Sequence, residues 1–180
     1  MPSPILTLST RIAYQNRWTR VREDRIRHAD GSPGLYGVVE RADFAVVVPW
    51  QDGRLTLVDQ YRYPVGVRTR EFPMGLWEHA PDTNPAELAA AELREETGLS
   101  AGRMLAVGTI FQGPGYCTQR GHVFLATDLT QGAPDRESSE QDMVCQDFPL
   151  AAVEAMIRDG TIQDAMTVAS FGLLRLKALL

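Results

Sequence analysis

The chain has 180 residues, 44% hydrophobic and 23% charged, which is enough apolar surface for the core of one compact globular domain. Its 18 basic and 23 acidic side chains give a net charge of −5, which argues against a nucleic-acid-binding protein, because such proteins usually carry excess positive charge. Two cysteines and three histidines are too few for a disulfide framework or a Cys-rich zinc site.

The N-terminal third of the chain predicts antiparallel β structure. Residues 9–28 alternate apolar and polar side chains, the turn sequence HADGSPG follows, and LYGVVER resumes the alternation, which is typical of a hairpin. DFAVVVPW and RLTLVDQYRY, joined by a QDG turn, predict a second hairpin over 43–63. The first residues, MPSPILTLSTR, show no basic start followed by a long apolar run, and no apolar stretch approaches the roughly 20 residues of a membrane span. We therefore expect no signal peptide, no membrane partner and a cytoplasmic location.

The rest of the chain mixes strands and helices. Short strands are predicted at 104–111, 121–127 and 143–148. Helices are predicted at 85–97, 149–159 and 164–180. Because strands and helices do not alternate regularly, this order predicts an α+β protein with a mixed sheet. We divide the chain into an N-terminal β-hairpin region, residues 1–42, and a main domain, residues 43–180.

The helix predicted at 85–97 has clear end signals. The Asn-Pro pair at 84–85 suits its N-cap and first helical position, and Gly98 suits the left-handed residue that ends a helix. On a helical wheel of about 100° per residue, the stripe predicted to face the core consists of Ala86, Ala90, Leu93 and Thr97. The helix also carries Glu92, Glu95 and Glu96, which we expect to face away from that stripe.

These three glutamates fit two interpretations. On an open surface they form a solvated acidic face, because carboxylates about 5 Å apart repel by only ~1 kcal/mol in water. In a cleft the same repulsion rises to ~3 kcal/mol at an effective dielectric near 20, and a cation among the oxygens compensates it. Hard oxygen ligands suit Mg²⁺ or Mn²⁺. The helix alone does not decide between a surface and a metal site.

The residues around this helix resemble the signature of the Nudix hydrolases, G-x5-E-x7-R-E-U-x-E-E-x-G-U, where U is a bulky aliphatic residue. EFPMGLWE holds the glycine of the signature at Gly75. AELREETGL matches its second half at Glu92, Leu93, Glu95, Glu96, Gly98 and Leu99. The chain departs from the signature in two places. Ala91 replaces the arginine, and the loop after Gly75 is two residues longer, which puts Thr83 at the first glutamate, with Glu78 and Asp82 near it.

Further segments resemble the ADP-ribose pyrophosphatase branch of this family. They are QYRYP (60–64), EFPMG (71–75), GPGYCTQRGHVFLATDL (113–129) and DGTIQDAMTVASFGLL (159–174). The resemblance covers roughly residues 10–175. It implies the Nudix fold, a mixed β-sheet sandwiched between helices, here with an N-terminal antiparallel β hairpin. It also implies Mg²⁺-dependent (or Mn²⁺-dependent) attack of water on the pyrophosphate of ADP-ribose or a related nucleoside diphosphate sugar, giving two monophosphates.

The resemblance implies a catalytic role for the acidic residues. Glu92 and Glu96 correspond to metal ligands, and Glu95 is a third ligand or a water-mediated partner. Met74 adds its main-chain carbonyl as a ligand. The general base is expected in the acidic loop that follows the marker proline of the branch, where Glu140 is preferred to Glu137; the alternative is that these acids keep the loop soluble.

Other residues are candidates for binding the substrate. Arg62 is expected to grip the pyrophosphate, because a planar guanidinium suits phosphate oxygens; the alternative is an ordinary strand-end arginine. Glu71 holds the ribose or the nucleobase, or it forms a surface salt bridge. Trp18 stacks on the base, or it packs in the core. Gly75 and Pro114, at the motif glycine and the marker proline, complete the predicted substrate site.

Other functions stay open at this stage. Ala91, in place of the orienting arginine, is consistent with a binding or regulatory module that has lost catalysis. The glutamate helix alone is also consistent with hydrolysis of GDP-mannose, nucleoside triphosphates or RNA ends, although the acidic balance and the segment around Pro114 count against triphosphates and RNA. The partners that we expect are a small-molecule nucleotide and, through the N-terminal hairpin as in the related branch, a second copy of the chain in a homodimer.

Overall fold

The computed structural model of the protein describes residues 3–77, 83–136 and 141–180. The contacts within the chain define two compact units. One comprises the chain up to Ala42 together with Phe111–Arg120, and the other comprises Asp43–Ile110 together with Gly121–Leu180. No helix in the described ranges is long and apolar enough to cross a bilayer.

The first unit contains a three-stranded antiparallel sheet in the order β1-β2-β3. Its strands are β1 (Ile5–Gln15), β2 (Arg20–His28) and β3 (Pro33–Glu40). The predicted hairpin is present as β2–β3, but the alternating stretch 9–28 is two strands, not one. Asn16 makes the turn between them, because its side-chain oxygen accepts the N–H groups of Trp18 and Thr19 at 2.9 and 2.8 Å.

The second unit is built on a seven-stranded mixed sheet with helices on both faces. In chain order the elements are β4 (Phe44–Gln51), β5 (Arg54–Arg62), β6 (Val67–Glu71), β7 (Met74–Gly75), α1 (Pro85–Thr97), β8 (Leu99–Phe111), β9 (Arg120–Gln131), β10 (Val144–Pro149), α2 (Leu150–Arg158) and α3 (Ala165–Leu176). The strand order is β10-β5-β4-β9-β8, with β6 beside β5 and β7 beside β4. Because β4 and β9 are parallel while β4 and β7 are antiparallel, the predicted mixed sheet is confirmed.

Strand β4 lies at the centre of the sandwich and is buried on both faces. Phe44, Val46 and Val48 pack into a core that includes side chains of α2 and α3. Ala45 and Val47 point to the opposite face and pack against α1. A strand covered on both faces needs a continuous apolar run, and FAVVV supplies it.

Helix α1 begins and ends as its sequence predicts. The Asn84 side chain accepts the N–H of Ala86 at 3.0 Å, and Pro85 takes the first helical position. Gly98 adopts φ 78°, the left-handed conformation that favours glycine, and its N–H binds the Arg94 carbonyl at 2.8 Å.

The predicted buried face of α1 is confirmed for Leu93 and Thr97, which are buried, and is wrong for Ala90. Ala90 is exposed, and the apolar residues that are buried are Leu88, Ala89, Ala91 and Leu93. Glu92 and Glu96, about 40° apart on the helical wheel, lie in the middle of this buried arc. The glutamates therefore face the sheet and not the solvent.

Candidate metal and phosphate site

The candidate site is formed where the glutamates of α1 meet the short strand β7. Glu92 is 7% exposed and Glu96 is 1% exposed, whereas Glu95 is half-buried at the edge of the helix face. The main-chain N–H of Met74 donates to Glu96 Oε2 at 3.2 Å. Of the two interpretations of the acidic helix, the solvated surface is excluded for Glu92 and Glu96.

Gly75 makes room for the carboxylate of Glu92. A Cβ atom at position 75 would lie 2.2 Å from Glu92 Oε2 and 2.5 Å from its Cδ, far inside van der Waals contact. The absence of a side chain at Gly75 thus allows the carboxylate to rest against the main chain of β7. This close approach gives a physical reason for a glycine at this point of the sequence.

Replacing Gly75 should therefore reduce activity without unfolding the protein. In Gly75→Ala we expect the flexible carboxylate of Glu92 to be displaced, and a misplacement of about 1 Å costs roughly 10²-fold in rate. The measurement is kcat/KM together with a thermal melt. Gly172→Ala in α3 is the matched control, because nothing lies within 4 Å of its added Cβ; it should stabilise by roughly 0.5–1 kcal/mol and keep full activity. Equal activity of both variants would contradict the role of this glycine.

Arg62 and Glu71 form an ion pair beside these glutamates, across the ladder between β5 and β6. Arg62 Nε donates to Glu71 Oε1 at 2.9 Å, and its Nη2 makes a shorter contact with Oε2. The Thr69 hydroxyl donates to the same carboxylate. The Glu71 side chain is 2% exposed, so Glu71 does form a salt bridge, but a buried one and not one on the surface. The Arg62 side chain is 39% exposed. Both oxygens of Glu71 are thereby engaged.

The charges around Arg62 are predominantly negative. The hydrogen bond to Glu71 is the main reason that the pKa of Arg62 is raised, and the charges of Glu71, Glu96 and Asp164 add to it, while burial opposes it. One cation is thus within electrostatic range of three carboxylates. A local excess of negative charge in a partly buried place favours binding of a further cation.

Asp164, which no sequence motif singles out, is part of this cluster. It is the N-cap of α3, where its Oδ2 accepts the N–H of Thr167 at 2.7 Å. Burial raises the pKa of Asp164 above its ordinary value, and the Glu71 charge acts in the same direction; the Thr167 hydrogen bonds and the Arg62 charge lower it. The capping position is visible in the sequence as an aspartate before an apolar helix, but its proximity to Arg62 is not.

The raised pKa of Asp164 predicts a pH-dependent stability difference. Since the folded-state pKa lies above the unfolded value of 3.8, the stabilising contribution of this group is fully present below pH 3.8 and is lost as pH rises through the folded pKa. Asp164→Asn keeps a capping acceptor and removes the charge, so its free energy of unfolding should increase relative to the wild type as pH rises above 3.8. Urea titrations at several pH values measure this difference. A pH-independent difference would contradict the expectation.

The remaining predicted residues fall into two groups. Trp18 and Pro114 belong to the first unit, and both side chains are exposed, Trp18 by 53%. Packing of Trp18 in the core is thus excluded; instead, the Arg17 guanidinium lies 4.6 Å from the centre of its ring. The other group lies outside the described residues and comprises Glu78, Asp82, Glu137 and the preferred base Glu140.

The residues present fit a hard divalent cation. Within the described ranges, no three His, Cys, Asp or Glu side chains converge into a ready-made metal cluster. The buried pair Glu92 and Glu96 nevertheless offers carboxylate oxygens, and the contact between Gly75 and Glu92 fixes where one of them lies. Mg²⁺ is usually bound in this way, through one or two carboxylates completed by water and substrate phosphates and not by a full protein cage.

Comparisons with known proteins identify the fold and the family of the chain. Residues 5–39 match the model of the nucleoside diphosphate sugar hydrolase N-terminal domain. A solved structure described as that of an ADP compounds hydrolase superimposes with a TM-score of 0.85 at 21% identity, covering 96% of this chain and 93% of that chain. This likeness confirms the predicted fold class, which is the Nudix fold.

Two relatives named ADP-ribose pyrophosphatase are similar in sequence. The protein from Mycobacterium tuberculosis is 31% identical over 165 residues, which is 91% of this chain and 79% of the relative. The protein from Bacillus subtilis is 29% identical over 134 residues, 74% of this chain and 71% of the relative. The chain belongs to the family of ADP-ribose pyrophosphatase-like Nudix proteins.

Proposed function

We propose that this protein is a hydrolase that cleaves the pyrophosphate bond of ADP-ribose or a related nucleoside diphosphate sugar with water, giving two monophosphates. The observation that carries the proposal is the burial of Glu92 and Glu96 together on the sheet side of α1, against the main chain of Met74 and Gly75. Two buried carboxylates close together on one helix face repel each other, and a hard divalent cation, Mg²⁺ or Mn²⁺, bound between them would offset that repulsion.

In this proposal the glutamates hold the metal and the metal neutralises phosphate charge. A bound divalent cation would polarise the pyrophosphate and lower the pKa of a water molecule. Glu92 and Glu96 are the ligands, and Glu95, at the edge of the face, is a third ligand or a water-mediated partner. The Met74 carbonyl is the proposed main-chain ligand, and Glu140 is the proposed general base.

Arg62 is the proposed contact to the pyrophosphate, with Glu71 as its positioning residue. Arg62 Nη1 has no partner among the described residues, and the side chain is partly exposed, so one edge of the guanidinium is available to phosphate oxygens. The opposite edge is fixed by Glu71. The burial and full engagement of Glu71 favour this supporting role over direct contact with ribose or base.

The first unit is the proposed surface for the base and for a second subunit. Trp18 is exposed at the turn between β1 and β2 and is available to stack on a nucleobase, and the segment around Pro114 belongs to the same unit. Its sheet exposes four large aliphatic side chains, Leu6, Leu8, Ile12 and Leu35. We propose that a second copy covers this sheet in a homodimer; a solution mass of one chain in light scattering would refute that part. A cytoplasmic location is part of the proposal, and both cysteines are free thiols.

A substrate panel tests the proposed activity. The purified protein is incubated with ADP-ribose, GDP-mannose, other nucleotide sugars and nucleoside triphosphates, with Mg²⁺, Mn²⁺ or EDTA, and the monophosphates are separated by ion exchange. We expect AMP from ADP-ribose in the presence of metal and none with EDTA. No turnover of any nucleotide sugar with either metal would overturn the proposal, and tight binding without turnover would favour the regulatory module suggested by Ala91.

A further inference from the structure

The last turn of α1, which carries Glu96, is held by the last residue of β9 and by residues that follow it. Helix ends leave their final carbonyls without partners inside the helix, so these oxygens need donors from elsewhere. Each of the last four carbonyls of α1 accepts a hydrogen bond. The N–H groups of Gly98 and Asp135 donate to the carbonyls of Arg94 and Glu95, at 2.8 and 3.0 Å. The side chains of Arg136 and Gln131 donate to the carbonyls of Glu96 and Thr97, through Nε at 2.9 Å and Nε2 at 3.1 Å. Three of these four donors come from the segment 131–136.

Arg136 connects this helix end to β10 with all three nitrogens of its guanidinium. Nε donates to the Glu96 carbonyl, Nη1 donates to the Met143 carbonyl, and Nη2 contacts Cys145 Sγ at 3.3 Å. The Cys145 thiol in turn donates to the Glu96 carbonyl at 3.3 Å. The planar guanidinium of Arg136 therefore links the main chain of Glu96 to Met143, directly before β10, and to Cys145 within it.

This end of the helix requires stabilisation from outside the helix. Glu96 is the penultimate residue of α1, and terminal turns are the part of a helix that frays most easily. Its negative charge and that of Glu95 are unfavourable at the negative end of the helix dipole, and Glu92 one turn away adds like-charge repulsion. A cation from outside the helix that binds a terminal carbonyl opposes all three effects.

We propose that Arg136 is a positioning residue of the metal site, because it holds the main chain of Glu96 to β10 and so sets where the carboxylates of Glu92 and Glu96 lie against β7. This inference rests on the proposed function of the two glutamates as metal ligands. Arg136 acts on the helix backbone and touches neither metal nor substrate. Its loss should therefore weaken metal binding and turnover but leave the substrate KM nearly unchanged.

The test compares Arg136→Met with Arg54→Met. Arg54 is a matched control because its Nη2 also donates to a main-chain carbonyl of β10, that of Asp147 at 2.9 Å, while Arg54 itself lies opposite Pro149, the last residue of the strand. Mn²⁺ binding is followed directly by electron paramagnetic resonance of the free ion, and kcat and KM are measured on the same samples. We expect a Kd for Mn²⁺ raised about tenfold or more in Arg136→Met, kcat lowered in parallel, and KM within about twofold of the wild type. Arg54→Met should match the wild type in all three.

Arg136→Lys keeps the positive charge at the helix end but loses the planar fork, so its Kd should lie between those of the wild type and Arg136→Met. A Kd for Arg136→Met within twofold of the wild type would overturn the inference while leaving the metal site itself intact. Should Arg136→Met fail to fold, a wild-type Kd in Arg136→Lys would do the same. A wild-type protein that binds no Mn²⁺ would instead overturn the proposed function, and the inference with it.

Discussion

Glu96→Gln should reduce kcat/KM for the best nucleotide sugar by on the order of 10³-fold. The substitution keeps the shape of the side chain and removes one buried negative charge. A unit charge pair about 4 Å apart contributes about 4 kcal/mol at an effective dielectric near 20, and each 1.4 kcal/mol is a factor of ten in rate. Because Glu96 is 1% exposed, solvent does not replace the lost charge. The measurement is the initial rate of monophosphate release at saturating and limiting Mg²⁺.

The matched control is Glu87→Gln on the same helix. Glu87 lies in the first turn of α1 and is exposed, so its neutralisation alters the helix by a few tenths of a kcal/mol and should not alter the rate. Both variants should retain the wild-type melting temperature to within a few degrees. A Glu96→Gln protein that keeps more than a tenth of the wild-type rate would show that this carboxylate is not a metal ligand in the reaction.

The sequence was sufficient for the features that depend on neighbouring residues. The β4–β5 hairpin followed from its Asp-Gly turn, and both residues have positive φ, 52° at Asp52 and 76° at Gly53. Both ends of α1 followed from Asn84 and Gly98, whose roles are local. The family resemblance singled out Glu92 and Glu96, and both are buried on this helix.

The full extent of the buried face of α1 did not follow from its sequence, and the reason is physical. Alanines occur on every side of this helix and contribute little hydrophobic contrast, so the wheel had no strong apolar side. A buried Glu92 and Glu96 contradict the usual rule that charged residues face solvent. Such departures from local rules are expected at functional sites, where a residue that the chemistry requires is kept although it lowers the stability of the fold.

The partners of the site residues could not be predicted either, because they are distant in sequence. Arg136 binds the Glu96 carbonyl across 40 positions, and the Phe72 N–H binds the Thr167 hydroxyl across 95. Pairs of this kind depend on the order of strands in the sheet, which a pattern of apolar residues does not fix. Arg62 and Glu71 are only nine positions apart in the sequence, but whether their side chains meet depends on the register of β5 against β6.

Arg62→Met should reduce both stability and activity. The substitution leaves Glu71 buried without its cation, and removing one partner of a buried pair costs 3–5 kcal/mol; about 3 kcal/mol is expected here, because Arg62 itself is 39% exposed. For a chain of this length the melting temperature should fall by roughly 6–12 °C. Loss of a charge-assisted hydrogen bond to phosphate should lower kcat/KM by roughly 10–100-fold.

Arg68→Met is the control that isolates burial. Arg68 also pairs with a carboxylate across the β5–β6 ladder, but its partners Asp59 and Asp142 are 30% and 55% exposed, so its loss should cost at most about 1 kcal/mol. The double variant Arg62→Met/Glu71→Gln also removes the negative charge of Glu71. Relative to Arg62→Met, it should recover a large part of the stability but none of the activity. Recovery of both would assign Arg62 a purely structural role. Equal melting temperatures for Arg62→Met and Arg68→Met would instead show that burial of Glu71 does not determine the strength of the pair.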